Sequence, residues 1–84
     1  MFTVQWKETA LKSIEKLDNS ISSRIFKKIE ELKEGFTGKD IKCLKGEKDT
    51  YRLRVGDYRV IFELRGNLIT ILIIGHRKNI YEKF

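Results

Sequence analysis

The sequence predicts an α+β fold: one strand, a two-helix hairpin, then a three-stranded antiparallel meander, with the helices on one sheet face. Three observations carry this. The apolar period runs from two to about three and a half and back to two along the chain. Two Gly-led dipeptides, Gly56-Asp57 and Gly66-Asn67, separate the last alternating runs. Finally, the 84 residues contain no proline to break a central strand or helix.

Phe2-Thr3-Val4-Gln5-Trp6 alternates apolar and polar residues, which suits a short strand with Phe2, Val4 and Trp6 facing inward. From Glu8, Leu11, Ile14 and Leu17 recur at helical spacing, and this first helix should stop near Asp18-Asn19. Ser20 is placed to cap a second helix whose inner face is Ile21, Ile25, Ile29 and Leu32, with Gly35 as its stop. Neither helix is long enough to be stable alone in water, so both stripes must pack on a sheet. Residues 36–50 are polar and without a period, and read as a connecting loop rich in Lys. Tyr51–Val55, Tyr58–Arg65 and Leu68–Ile74 then form the meander.

Length and composition narrow the class. A chain of 84 residues fits one domain spanning 1–84, and 40% hydrophobic residues are enough for a small core. One cysteine, Cys43, rules out an internal disulfide, and with His76 as the only histidine a Cys/His zinc site has too few ligands. A reducing, cytoplasmic setting is expected, with no membrane span, no leader and no cofactor. The net charge is +6, and it is uneven. Residues 1–34 carry seven basic and six acidic side chains, a balance of +1, whereas residues 35–84 carry eleven and six, a balance of +5. Such an excess attracts phosphates, although scattered surface Lys also serves solubility.

Register sharpens the argument. A two-residue turn at Gly56-Asp57 pairs Val55 with Tyr58, Arg54 with Arg59, Leu53 with Val60, Arg52 with Ile61 and Tyr51 with Phe62. The turn at Gly66-Asn67 pairs Leu64 with Ile69, Phe62 with Ile71 and Val60 with Ile73. One face is then apolar across three strands and should receive the helices. The other face carries Arg52, Arg54 and Arg59, with Arg54 directly opposite Arg59. Guanidinium groups cannot deprotonate to escape this repulsion, so the pattern points to a phosphate-binding surface. The competing reading is that the three splay apart on exposed stems, tied by Glu63 or Asp57. Ile61, Leu72 and Ile74 fall beside them as an apolar patch that a protein partner would cover. Strict alternation also puts His76 on this face and Arg77 away from it, unless a bulge at Gly75 reverses the two. His76 is a candidate proton donor or acceptor, and it is equally suited to a structural role.

The run Tyr51-Arg52-Leu53-Arg54-Val55-Gly56-Asp57-Tyr58-Arg59-Val60-Ile61-Phe62-Glu63, with Gly75-His76-Arg77-Lys78-Asn79-Ile80-Tyr81 near the end, resembles the RelE/ParE toxin superfamily, over essentially the whole chain. The segment Lys42-Cys43-Leu44-Lys45-Gly46 agrees with it. The resemblance implies a RelE-like toxin of a type II toxin–antitoxin pair, which cuts mRNA in the ribosomal A site without a metal. It implies a site of Arg52, Arg54, Arg59, Arg77 and Tyr81, of which Arg59, Arg77 and Tyr81 are the catalytic candidates; from the residues themselves, His76 is added as a candidate acid and Glu63, on the arginine face, as an outside candidate for a base. Arg52, Arg54, Lys42, Lys45 and Lys78 would bind RNA phosphates. Two departures stand out: Arg occupies 52 and 54 where Lys can occur, and Tyr81 lies closer to Arg77 than in some members. The implied partners are a RelB-like antitoxin, the ribosome and mRNA, the free toxin being a monomer. Two other functions are open to the same pattern: a ParE-like inhibitor of DNA gyrase acting by protein contact, and an RNA-binding module without catalysis.

Overall fold

Two glycines at positive φ set up the sheet. Gly56 at φ 60° and Gly66 at φ 57° each take the first central position of a two-residue hairpin turn, where a side chain would be strained. The structure, a computed structural model, describes residues 1–80. In chain order the elements are β1 (Thr3–Trp6), α1 (Glu8–Glu15), α2 (Asn19–Leu32), β2 (Ile41–Cys43), β3 (Thr50–Val55), β4 (Tyr58–Arg65) and β5 (Leu68–His76). The five strands form one mixed sheet in the order β1-β5-β4-β3-β2. The expected α+β layout is therefore present, with two additions. β1 joins the meander in parallel beside β5, Val4 opposite Ile69 and Trp6 opposite Ile71. Within the Lys-rich loop, β2 pairs antiparallel with β3, which places Lys42 opposite Arg52.

The β3–β4 register matches the expectation at every pair from Tyr51↔Phe62 to Val55↔Tyr58. The β4–β5 register matches as far as Phe62↔Ile71 and then slips. Leu72 is an extra residue, so Ile61 meets Ile73 and Val60 meets Ile74, where Val60 opposite Ile73 was expected. A bulge leaves a backbone group without its ladder partner. Here the Thr9 hydroxyl on α1 donates to the Leu72 carbonyl at 2.6 Å.

The bulge changes which side chains are buried where. Ile74 turns into the core instead of joining the arginine face, and it is 2% exposed. Ile61 does point to that face but is already covered, as is Ile80. A Cβ on Gly75 would lie only 2.9 Å from Ile80 Cδ1, so the chain after β5 folds back over this side of the sheet. The apolar patch expected from Ile61, Leu72 and Ile74 is thus mostly spent within the chain itself.

On the helix face, Ile25, Ile29 and Leu32 of α2 pack against Leu53, Val60, Phe62, Ile69 and Ile71. Phe62 is the aromatic hub, stacked on Tyr51 at 5.6 Å and edge-on to Phe36 at 5.6 Å. Phe2, Val4 and Trp6 pack against this core as expected. Two helix details differ. α1 buries Ala10 and Ile14 and leaves Leu11 exposed, because its inner stripe starts one residue earlier. α2 begins at Asn19 with Asp18 at its N-cap, two residues ahead of Ser20. Among the described residues no helix is long and apolar enough to cross a membrane.

Candidate functional site

The register puts the Arg52, Arg54 and Arg59 side chains on the sheet face opposite the helices, since Arg54 pairs with Arg59 and Arg52 with Ile61. Lys42 joins them from β2, directly across from Arg52. Four cations therefore rise from three adjacent strands. Their repulsion is met in two different ways.

On the β3 side, a carboxylate intervenes. Arg52 Nη2 donates to Asp40 Oδ1 at 3.0 Å, and Arg54 Nη1 stands 3.8 Å from Asp40 Oδ2. The Arg52 side chain is 14% exposed and its Nε is buried without a partner among the described residues, whereas Arg54 is 56% exposed. On the β4 side, backbone carbonyls serve instead. Arg59 Nη1 donates to the carbonyls of Gly56 at 2.9 Å and Tyr58 at 3.0 Å, which ties the guanidinium to the β3–β4 turn. Arg77 reaches the same turn from the end of β5. Its backbone N–H donates to the Asp57 carbonyl at 2.7 Å and its Nε lies 3.6 Å from Asp57 Oδ1. The turn thus gathers Arg59 and Arg77, two residues eighteen positions apart in the chain.

His76 is elsewhere. The slip at Leu72 sets it opposite Tyr58, edge-on to that ring at 5.4 Å, on the helix side of the sheet. There it lines a groove of about 210 Å³ with Ser13, Lys16 and Leu17 of the helical hairpin, and its Nδ1 accepts from the Lys78 backbone N–H at 3.2 Å. Of the two placements the sequence left open for His76, the structure takes the one away from the arginine face, and the bulge responsible lies at Leu72 instead of Gly75. Glu63 does share the arginine face, but it pairs with Arg65 at 3.5 Å. Lys45 lies exposed in the turn after β2, and Lys78 is exposed after β5. Tyr81 falls outside the described residues. No group of three His, Cys, Asp or Glu side chains suited to hold a metal occurs among the described residues.

Two participants carry no signal in the local sequence. Asp40 lies in the loop ahead of β2, twelve residues from Arg52, and only the β2–β3 pairing brings it there. Arg24, on α2, lies against the β3–β4 turn, with its Nη2 2.8 Å from where a Cβ on Gly56 would sit.

The chemistry on offer is anion recognition. Guanidinium groups bind phosphate oxygens through charge-assisted, often forked, hydrogen bonds.

Comparison with known proteins identifies the family. The family model described as the ParE toxin of type II toxin–antitoxin systems matches residues 4–81. The toxin RelE3 of Methanocaldococcus jannaschii is 34% identical over 85 residues, covering 96% of this chain and 97% of that toxin. Among solved structures, the RelB–RelE antitoxin–toxin complex from Methanococcus jannaschii superposes with a TM-score of 0.80 at 34% identity, covering 94% of this chain and 96% of that one. The archaeal RelE–RelB complex of Pyrococcus horikoshii OT3 gives 0.75 at 26% identity, over 90% and 94% of the two chains. With the family match running over nearly its whole length and the sheet and helices superposing on RelE chains, the protein belongs to the ParE toxin family of type II toxin–antitoxin systems, as a RelE-like toxin.

Proposed function

We propose that this toxin stops translation by cleaving mRNA on the ribosome, through metal-independent attack of a 2′-hydroxyl on the adjacent phosphodiester. The observation that carries the reading is the convergence of Arg59 and Arg77 on the β3–β4 turn, beside a face that also bears Arg52, Arg54 and Lys42. In the reaction the 2′-oxygen forms a bond to phosphorus as its proton leaves, and the P–O5′ bond breaks as the 5′-oxygen gains a proton. Arg59 and Arg77 hold the scissile phosphate and stabilise the charge that builds up in the phosphorane. Arg52, Arg54 and Lys42 bind neighbouring phosphates, with Lys45 and Lys78 at the margins. Tyr81 orients the 2′-hydroxyl or stacks on a base. His76, on the other face, takes no part, and the proton transfers are completed by groups of the ribosome.

The toxin acts in the cytoplasm as a monomer until a RelB-like antitoxin sequesters it, the arrangement suggested by solved relatives that are antitoxin–toxin complexes. The acidic residues of such a partner complement the arginine face. Purified toxin added to programmed ribosomes should yield discrete mRNA cuts by primer extension. Undiminished cutting by both Arg59→Ala and Arg77→Ala would refute the site.

A second reading has one specific support, that the matching family model is a ParE toxin. On that reading the same fold inhibits DNA gyrase by contact. Cleaved DNA trapped on gyrase, with mRNA left intact, would establish it in place of the nuclease.

A further inference from the structure

Asp40 brings a carboxylate to the arginine face. Its carboxylate sits between two guanidinium groups, 3.0 Å from Arg52 Nη2 and 3.8 Å from Arg54 Nη1, one oxygen facing each. It is also held there by the backbone, because the Arg54 N–H donates to the Asp40 carbonyl at 3.0 Å. The side chain is 49% exposed, so it can leave its partners for water without unfolding anything.

We infer that Asp40 is a built-in competitor for the phosphate bound by Arg52 and Arg54, and so sets how much RNA contact the site demands. The inference rests on the phosphate-binding reading of those two arginines. A phosphodiester and a carboxylate each carry one negative charge and two acceptor oxygens, so exchanging one for the other at this pair gains little. A single stray phosphate is therefore a poor ligand. Only a strand that adds contacts elsewhere, at Arg59, Arg77 or Lys42, gains enough to displace the carboxylate. Asp40 thus keeps the free toxin from coating bulk RNA while leaving the fully engaged complex accessible. It also replaces a mobile counterion, which lowers the number of ions that bound RNA can release.

The test is anisotropy of a dye-labelled 2′-O-methyl oligouridylate, which binds without being cut, titrated with the parent, Asp40→Asn, Asp40→Ala and the double variant Arg52→Ala/Arg54→Ala across a salt series. Both Asp40 variants should bind about three- to tenfold tighter at low salt, with a log–log salt slope steeper by about 0.7, the value for one more phosphate contact on a single strand. Unchanged or weaker binding by both would show that Asp40 merely positions the arginines, and would overturn the inference alone. If the Arg52/Arg54 double variant binds as well as the parent, the phosphate-site reading fails and the inference falls with it. Thermal melts of the same samples establish that each variant is folded.

Discussion

The two faces of the sheet are built on opposite principles. On the helix face, apolar side chains pair across strands and are sealed by α2, with Phe62, Val60, Ile69 and Ile71 fully buried. On the other, Arg54 opposes Arg59 and Lys42 opposes Arg52, which is unfavourable in a sheet, and one buried guanidinium nitrogen has no partner among the described residues. The first face holds the fold together by area and packing. The second gives up some stability to keep cations close, and compensates only in part through Asp40, Asp57 and turn carbonyls. Like-charge pairing of this kind is the cost that the proposed anion-binding role would explain.

That contrast can be broken from either side. The largest effect should come from Phe62→Ala, which removes the aromatic hub and costs about 3–5 kcal/mol by urea denaturation. Next, Arg59→Ala should lower ribosome-dependent cleavage by about 100-fold or more while leaving stability within about 1 kcal/mol. A comparable loss of stability would mean that Arg59 is structural and the two faces are less distinct than drawn. Arg54→Thr should raise stability by about 0.2–1 kcal/mol, because it relieves the pairing with Arg59 and loses only a long, exposed contact with Asp40. If it destabilises, the repulsion is already screened.

The smallest effect lies at the edge joining β2 to β3. The Tyr51 phenol is held above its ordinary 10.0, first by the charge of Cys43 across the strand pair and then by burial. With the folded pKa raised, the unfolded chain ionises first. This part of the stability is intact below pH 10 and lost as pH rises through the folded value. Cys43→Ser should flatten the fall in Tm above about pH 10, and an identical fall in both proteins would remove the coupling.

How far the sequence could be read depended on how uneven its local pattern was. Gly56-Asp57 sits between strands that alternate cleanly, so the register from Tyr51 to Phe62, and with it the shared face of Arg52, Arg54 and Arg59, was readable in advance. Ile71-Leu72-Ile73-Ile74 is apolar at every position, so nothing in it marks which residue bulges, and the sequence left open which of His76 and Arg77 joins the arginine face. Leu11 misled for a similar reason, since Ala10 next to it is small enough to be overlooked as a core residue.

By itself, the sequence determined the order of every element except β2, the two turns, the apolar sheet face that receives the helices and the cluster of positive charge, since each follows from chemistry between residues close in the chain. Only the tertiary structure decided the parallel docking of β1 on β5, the bulge held by Thr9, and the meeting of Arg77 with Arg59 at one turn. It likewise decided that Asp40 would sit between two arginines. These are contacts between distant segments, fixed when the sheet closes and the helices settle on it, and no local period or propensity encodes them.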